Sequence, residues 1–202
     1  MKIGIMGGTF DPVHNGHLML GKTAYKQFQL DEVWFMPNGQ PPHKEQRSIK
    51  SDAATRTEMV SLAIEGVPGF RLEEYEVTKD GICFSYETME HFSFCRPEDS
   101  FYFIIGADSL FSIETWAYPG RLLSTCTVLA ACRDDIDTKE EMLVQIKYLR
   151  KKYNADIELL KAPLMHISSH NLREMIRDGK SISGLIPKKV EEYIVKEGLY
   201  GS

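Results

Sequence analysis

Apolar positions along this chain alternate between short unbroken runs and helically spaced stripes, and each change falls at a glycine, a proline or a polar cluster. KIGIM at 2–6 is a short apolar run ended by Gly7-Gly8, the pattern of a buried strand. Over 17–28, Leu18, Gly21, Ala24, Tyr25 and Phe28 share one stripe, which predicts a helix. EVWFM at 32–36 predicts a second strand, stopped by Pro37-Asn38-Gly39; a loop rich in proline and polar residues then runs to Ser51. Helix is predicted over 52–65, extended chain over 70–77 and helix over 86–95. FYFII at 101–105, ended by Gly106, is the clearest buried strand. A short helix at 110–116, a strand at 125–131, an amphipathic helix at 138–153 and a strand at 156–160 follow. Two helices close the pattern: 169–177, stopped by Gly179, and 187–197, with Pro187 in its first turn and Gly198 after its end.

Strands alternating with helices imply an α/β fold: a Rossmann-like, doubly wound, mostly parallel sheet with helices on both faces and a small C-terminal helical part. No internal repeat or linker divides the chain, so one domain over 1–202 is expected. In such sheets ligands bind beyond the carboxyl ends of the strands, where the strand order reverses. Two strand ends carry unusual chemistry, GGTFDPVHNGH at 7–17 and GADS at 106–109. If those strands are neighbours, both loops face one crevice.

Composition narrows the classes. The 202 residues are 43% hydrophobic and 26% charged, an ordinary globular balance that argues against disorder. A net charge of -5 with no basic footprint argues against a nucleic acid polymer as partner, while small anions need only a local cluster. Cys83, Cys95, Cys126 and Cys132 form no C-x-x-C pair, so zinc-ribbon and thioredoxin-like motifs have no support. No run of 18 apolar residues predicts a membrane span, and no cleavable signal precedes the first strand. A cytoplasmic location is expected; a homo-oligomer is left open.

Candidate chemistry begins at Gly7-Gly8-Thr9-Phe10. Paired glycines let backbone N–H groups approach phosphate oxygens, although a plain tight turn suits them too. The spacing is neither G-x-G-x-x-G nor a P-loop. His14 and His17 flank Gly16 where the loop enters a helix, and helix N-termini favour anions. Two imidazoles there offer donors for an α-phosphate; no third ligand at zinc-like spacing accompanies them, so no metal site is expected. Asp11, before Pro12, reads as a turn cap without a catalytic role. Lys44 follows His43 in the proline-stiffened loop, where a solvated lysine is the default. Asp108 suits either ribose hydroxyls or a helix N-cap. Trp116 offers a stacking face or ordinary core packing. Ser168 and Ser169 lead a helix bearing Arg173, either a second anion site or a capped helix with a surface arginine.

Taken together, the T-x-x-x-x-H-x-G-H spacing from Thr9 to His17 resembles the signature of the nucleotidyltransferase superfamily, and Ser168-Ser169…Arg173 resembles its second motif. Those two motifs leave phosphopantetheine adenylyltransferases and cytidylyltransferases open. PNGQPPHK at 37–44, Ser85-Tyr86 with Thr88, IIGADS at 104–109 and Trp116 resemble the bacterial nicotinate-nucleotide adenylyltransferases, over nearly the whole chain. The resemblance implies transfer of AMP from ATP, with Mg2+, to nicotinate mononucleotide, giving deamido-NAD and pyrophosphate. It implies His14, His17 and Arg173 as catalytic groups. Gly8, Thr9, Phe10, Lys44, Gly106, Asp108 and Ser168 are implied at ATP and phosphate. Ser85, Tyr86 and Trp116 are implied at the nicotinate nucleotide. One departure stands out: His170 occupies the position where the family pattern has threonine. Two other readings remain, an adenylyltransferase with another acceptor and a nucleotide-binding regulator that has lost the chemistry.

Overall fold

The structure, a computed structural model, describes residues 1–40, 49–132, 136–163 and 165–201, with backbone alone at 136 and 137. Among the described residues six parallel strands form one sheet: β1 (Lys2–Gly8), β2 (Glu32–Pro37), β3 (Phe70–Leu72), β4 (Ser100–Gly106), β5 (Thr127–Cys132) and β6 (Ile157–Lys161). Their spatial order is β3-β2-β1-β4-β5-β6, so the order reverses between β1 and β4. Those two strands pair in parallel, with Ile3 opposite Phe101 and Ile5 opposite Phe103. The loops after Gly8 and Gly106 therefore open on one crevice, as topology requires of an open α/β sheet.

Near-continuous apolar runs in the strands follow from burial on both faces. Alternate residues go to opposite layers. Ile3, Ile5, Trp34, Met36, Phe101, Phe103 and Ile105 face one core with α4 (Ser85–Cys95), α5 (Ala107–Ser112), α6 (Pro119–Thr125) and α7 (Ile136–Tyr153). Met6, Val33, Phe35, Ile104, Leu129 and Leu160 face the other. There they meet α1 (Asn15–Gln27), α2 (Ala53–Ile64), α8 (Ser169–Arg177) and α9 (Lys188–Lys196). The expected C-terminal helical part, α8 and α9, packs in the α1/α2 layer. Each aliphatic or aromatic side chain buried here contributes about 1.5–3 kcal/mol.

Local chemistry sets the helix ends. Asp52 accepts from the Thr55 N–H at 2.7 Å at the start of α2, a bond that holds its carboxyl below the usual carboxylate range. Ser168 accepts from the Asn171 N–H at 3.1 Å at the start of α8. Gly179 (φ 67) ends α8 with its N–H on the Ile176 carbonyl, the left-handed stop that its position in the sequence predicts.

Three segments differ from expectation. The extended chain predicted over 70–77 pairs only as Phe70–Leu72; Tyr75–Thr78 turns into one helical turn, α3. The helix predicted over 110–116 starts earlier, at Ala107, and tightens to a 3-10 turn at Ile113–Thr115 that leaves Trp116 beyond its end. Residues 119–125 form α6, with Pro119 at its first position after Tyr118 in a left-handed conformation, and β5 starts only at Thr127. Among the described residues no helix is long and apolar enough to cross a membrane. Among the described residues the four cysteines form no disulfide.

Phe35 links β2 to α1 and β3. It is fully buried, its ring centroid lies 4.8 Å from that of Phe70, and a Cβ on Gly21 would lie 2.8 Å from its ring. Phe35→Ala is expected to lower stability by about 3–5 kcal/mol. Urea unfolding would show this as a lower midpoint with unchanged slope; a shift below about 1 kcal/mol would mean the core closes around the gap.

Candidate active site

The chain between β1 and α1 is itself buried: Phe10, Asp11, Pro12, Val13 and His14 are almost inaccessible. Its carbonyls therefore need partners other than water, and distant segments supply them. The Asn38 N–H donates to Gly8 O at 2.9 Å. Arg56 Nη1 donates to Thr9 O at 2.8 Å, Arg173 Nη1 to Asp11 O at 2.7 Å and Ser169 Oγ to Pro12 O at 2.9 Å. The Asp11–Pro12 peptide is cis, and Phe10 has a left-handed backbone (φ 52), a conformation costing about 1–3 kcal/mol for a non-glycine residue and retained only where its surroundings enforce it. The Phe10 ring fills the space beneath Gly8, where an added Cβ would meet it at 3.0 Å.

The two histidines form one unit. Their rings stack with centroids 3.7 Å apart, and the Phe10 ring meets His17 edge-on at 5.0 Å. The His14 N–H donates to His17 Nδ1 at 3.2 Å. That bond assigns a lone pair to Nδ1, so neutral His17 carries its proton on Nε2. His14 is 6% exposed, its Nδ1 meets no hydrogen-bond partner among the described residues, and burial lowers its pKa to about 4. A Cβ on Gly16 would come within 2.9 Å of that nitrogen, so the glycine makes room for the ring. His14 is uncharged at neutral pH, which avoids placing two cations in one stack.

Two cavities open beyond the strand ends, and His17, Leu20 and Gly106 line both. The first, about 680 Å³, is walled by His14, Gly16, Asp108, His166 and Ser168. The second, about 590 Å³, is walled by Gly7, Gly8, Thr9, Asn38, Ser85 and Trp116. Trp116 is half-buried, its ring edge-on to Phe103 at 6.4 Å. The sequence-predicted residues His14, His17, Gly8, Thr9, Gly106, Asp108, Ser168, Ser85 and Trp116 thus converge on one divided crevice.

The remaining predicted residues are placed otherwise. Phe10 and Arg173 lie outside both cavity linings and brace the loop from behind. Tyr86 is buried against α6, with the Arg121 guanidinium 4.4 Å from its ring centre and its hydroxyl donating to Glu87 at 3.0 Å; it lines neither cavity. Lys44 lies outside the described residues. His170, at the family's threonine position, is exposed beside Glu174 at 3.6 Å. Asp11 is no turn cap: its carboxylate accepts from the Lys50 N–H at 2.7 Å and from the Tyr200 hydroxyl at 2.6 Å.

Sequence reasoning missed four groups. Arg56, 2% exposed, donates to the carbonyls of Thr9, Asn38 and Ser51. Its signal was a cation in the first turn of α2, where the helix dipole disfavours one. Tyr200 had no signal beyond an aromatic residue after a helix stop. His166 lines the first cavity from a loop of no recognisable pattern. Glu76 lines the second; burial raises its pKa to about 6 although it accepts from the Thr88 hydroxyl at 2.8 Å. Among the described residues no three His, Cys, Asp or Glu side chains converge as a metal cage.

The cytidylyltransferase-like family model matches residues 5–178, which takes in both the β1–α1 loop and α8. "Probable nicotinate-nucleotide adenylyltransferase" of Lachnoclostridium phytofermentans is 40% identical over 199 residues, 98% of each chain. The protein of that name from Clostridium acetobutylicum is also 40% identical over 199 residues, again 98% of each chain. The chain belongs to this family, the nicotinate-nucleotide adenylyltransferases within the cytidylyltransferase-like group. The solved structure of Plasmodium falciparum nicotinic acid mononucleotide adenylyltransferase complexed with NaAD superposes with a TM-score of 0.80 at 20% identity, covering 98% of this chain and 97% of that one. At that identity the likeness is one of fold. The span of the family match takes in both stretches that build the buried loop.

The His14 value of about 4 lies below the unfolded 6.5, so folding favours the neutral ring. Its contribution to stability is complete above pH 6.5 and is lost as pH falls toward 4, by up to about 3 kcal/mol. Glu76, raised to about 6, titrates in the same window with the opposite sign, so the comparison needs a His14→Gln variant. The wild-type urea midpoint is expected to fall more steeply than the variant's between pH 6.5 and 4; parallel profiles would place His14 in water.

Proposed function

We propose that the protein transfers the adenylyl group of ATP to the phosphate of nicotinate mononucleotide, forming deamido-NAD and pyrophosphate. The observation that carries this reading is the junction of two cavities at His17 and Gly106, beside a stacked histidine pair. A two-substrate transfer needs adjacent compartments that share the reacting atoms, and here one cavity suits each nucleotide. ATP occupies the first, with the adenosine near Gly106 and Asp108 and phosphates toward His14, His17 and Ser168. The acceptor occupies the second, its pyridine ring against Trp116 and its polar group near Ser85.

An oxygen of the acceptor phosphate forms a bond to the α-phosphorus of ATP. The bond from that phosphorus to the bridging oxygen breaks, and pyrophosphate leaves with the electron pair. No covalent enzyme intermediate is needed, so the protein contributes positioning and charge stabilisation. His17 presents its Nε2–H, Gly8 and Thr9 present backbone, and neutral His14 holds His17 from behind. Arg173 and Phe10 act through the loop they brace; the Lys44 contribution is phosphate binding. Mg2+ would enter with ATP as part of the substrate and supply charge neutralisation at the phosphates, as suits a hard cation that retains its hydration.

The deciding measurement is pyrophosphate release from MgATP with nicotinate mononucleotide and nicotinamide mononucleotide side by side. Preference for the acid is expected; comparable rates would mean a dual-specificity enzyme, and silence with both would overturn the reading. His17→Ala should lower kcat by roughly 10²- to 10⁴-fold with the fold intact, and near-normal turnover would remove His17 from the chemistry. Trp116→Ala should raise KM for the pyridine nucleotide more than for ATP. Equal rises would remove the stacking role.

A further inference from the structure

Tyr200 belongs to the short segment after α9 and lines neither cavity. Its hydroxyl donates to Asp11 Oδ1 at 2.6 Å and accepts from Ser51 Oγ at 3.0 Å, and its backbone is left-handed (φ 62). Strain of that kind persists only where surrounding contacts enforce it. The other oxygen of Asp11 accepts from the Lys50 N–H, so one carboxylate ties three segments together: the β1–α1 loop, the residues before α2 and the segment after α9. Arg56 supports the same point from below, bonded to Thr9 O and Ser51 O, and Arg173 holds Asp11 O. Burial and the neighbouring Asp11 carboxylate push the Tyr200 phenol above its ordinary range, which keeps the hydroxyl a donor.

We infer that Tyr200 is a positioning residue for adenylyl transfer: through Asp11 it holds the buried loop between Gly8 and His14 in the form that sets the histidine pair at the junction of the two cavities. The inference rests on the proposed reaction for its kinetic readout. A phenol that donates to a buried carboxylate has no water to replace it, so its loss loosens the loop, and displacements of about 1 Å near a reacting phosphate cost up to 10²-fold in rate.

Tyr200→Phe removes one oxygen and keeps the ring; Asp11→Asn removes the charge and keeps the shape. Each is expected to lower kcat about tenfold with KM for both substrates within about twofold. The double variant should lose far less than the product of the two single losses, since the Tyr200–Asp11 bond is common to both. Amide hydrogen exchange gives a second readout that needs no turnover: Tyr200→Phe should speed exchange in peptides covering residues 7–14 while β5 and β6 stay protected. Multiplicative losses in the double variant, unchanged kcat in Tyr200→Phe, or exchange rising uniformly across the sheet would each overturn the inference. If the wild-type protein releases no pyrophosphate with either acceptor, the functional reading fails and the exchange data alone decide the role of Tyr200.

Discussion

A buried loop cannot leave its carbonyl oxygens dry, and this requirement governs how the molecule is tied together. The chain from Phe10 to His14 lies under the helix layer, where each unpaired polar group would cost about 1–3 kcal/mol. Partners for this stretch come from α8 and those for the adjoining Gly8 and Thr9 carbonyls from after β2 and from α2, brought together only when the sheet and both helices are in place. The loop is thus a product of the whole fold, and its strained Phe10 conformation persists because so many contacts enforce it.

The same requirement changes how the second motif is understood. A serine and an arginine at the start of α8 look like an anion site, and Ser168 does face the first cavity. Ser169 and Arg173, however, direct hydrogen bonds at Pro12 O and Asp11 O. Residues at one helix start thereby divide between lining the crevice and holding the loop that forms its other wall. Arg56 and Asp11 add two buried charges to this framework. Buried charges are costly unless each is hydrogen-bonded, and both are: Arg56 by three carbonyls, Asp11 by a backbone N–H and a phenol.

On that framework the histidine pair acquires its electronic character. Burial keeps His14 neutral, the Gly16 backbone makes room for its ring, and the bond from the His14 N–H sets the tautomer of His17. The crevice then receives a polar donor at the place where the two cavities meet. Strand order puts it there, since β1 and β4 are neighbours at the point where the sheet reverses.

Much of this was legible in the residues alone. Unbroken apolar runs marked the strands of a sheet buried on both faces, and the Gly-Gly and His-x-Gly-His spacings marked the loop, because local pattern follows from local burial and backbone freedom. The α6 turn escaped, since its helix depends on a left-handed Tyr118 that no periodicity announces. Nine of the predicted site residues line the crevice, whereas Tyr86, Phe10 and Arg173 sit behind or beside it. A sequence names residue types but not which way a side chain turns once its neighbours compete for it. Arg56 and Tyr200 were invisible for a related reason: their importance lies in hydrogen bonds spanning 47 residues from Arg56 to Thr9 and 189 from Tyr200 to Asp11. By itself the chain determined its strands, its glycine- and histidine-bearing loop and its family; only the tertiary structure decided which distant groups hold that loop, because satisfying buried polar atoms is a condition on the folded whole.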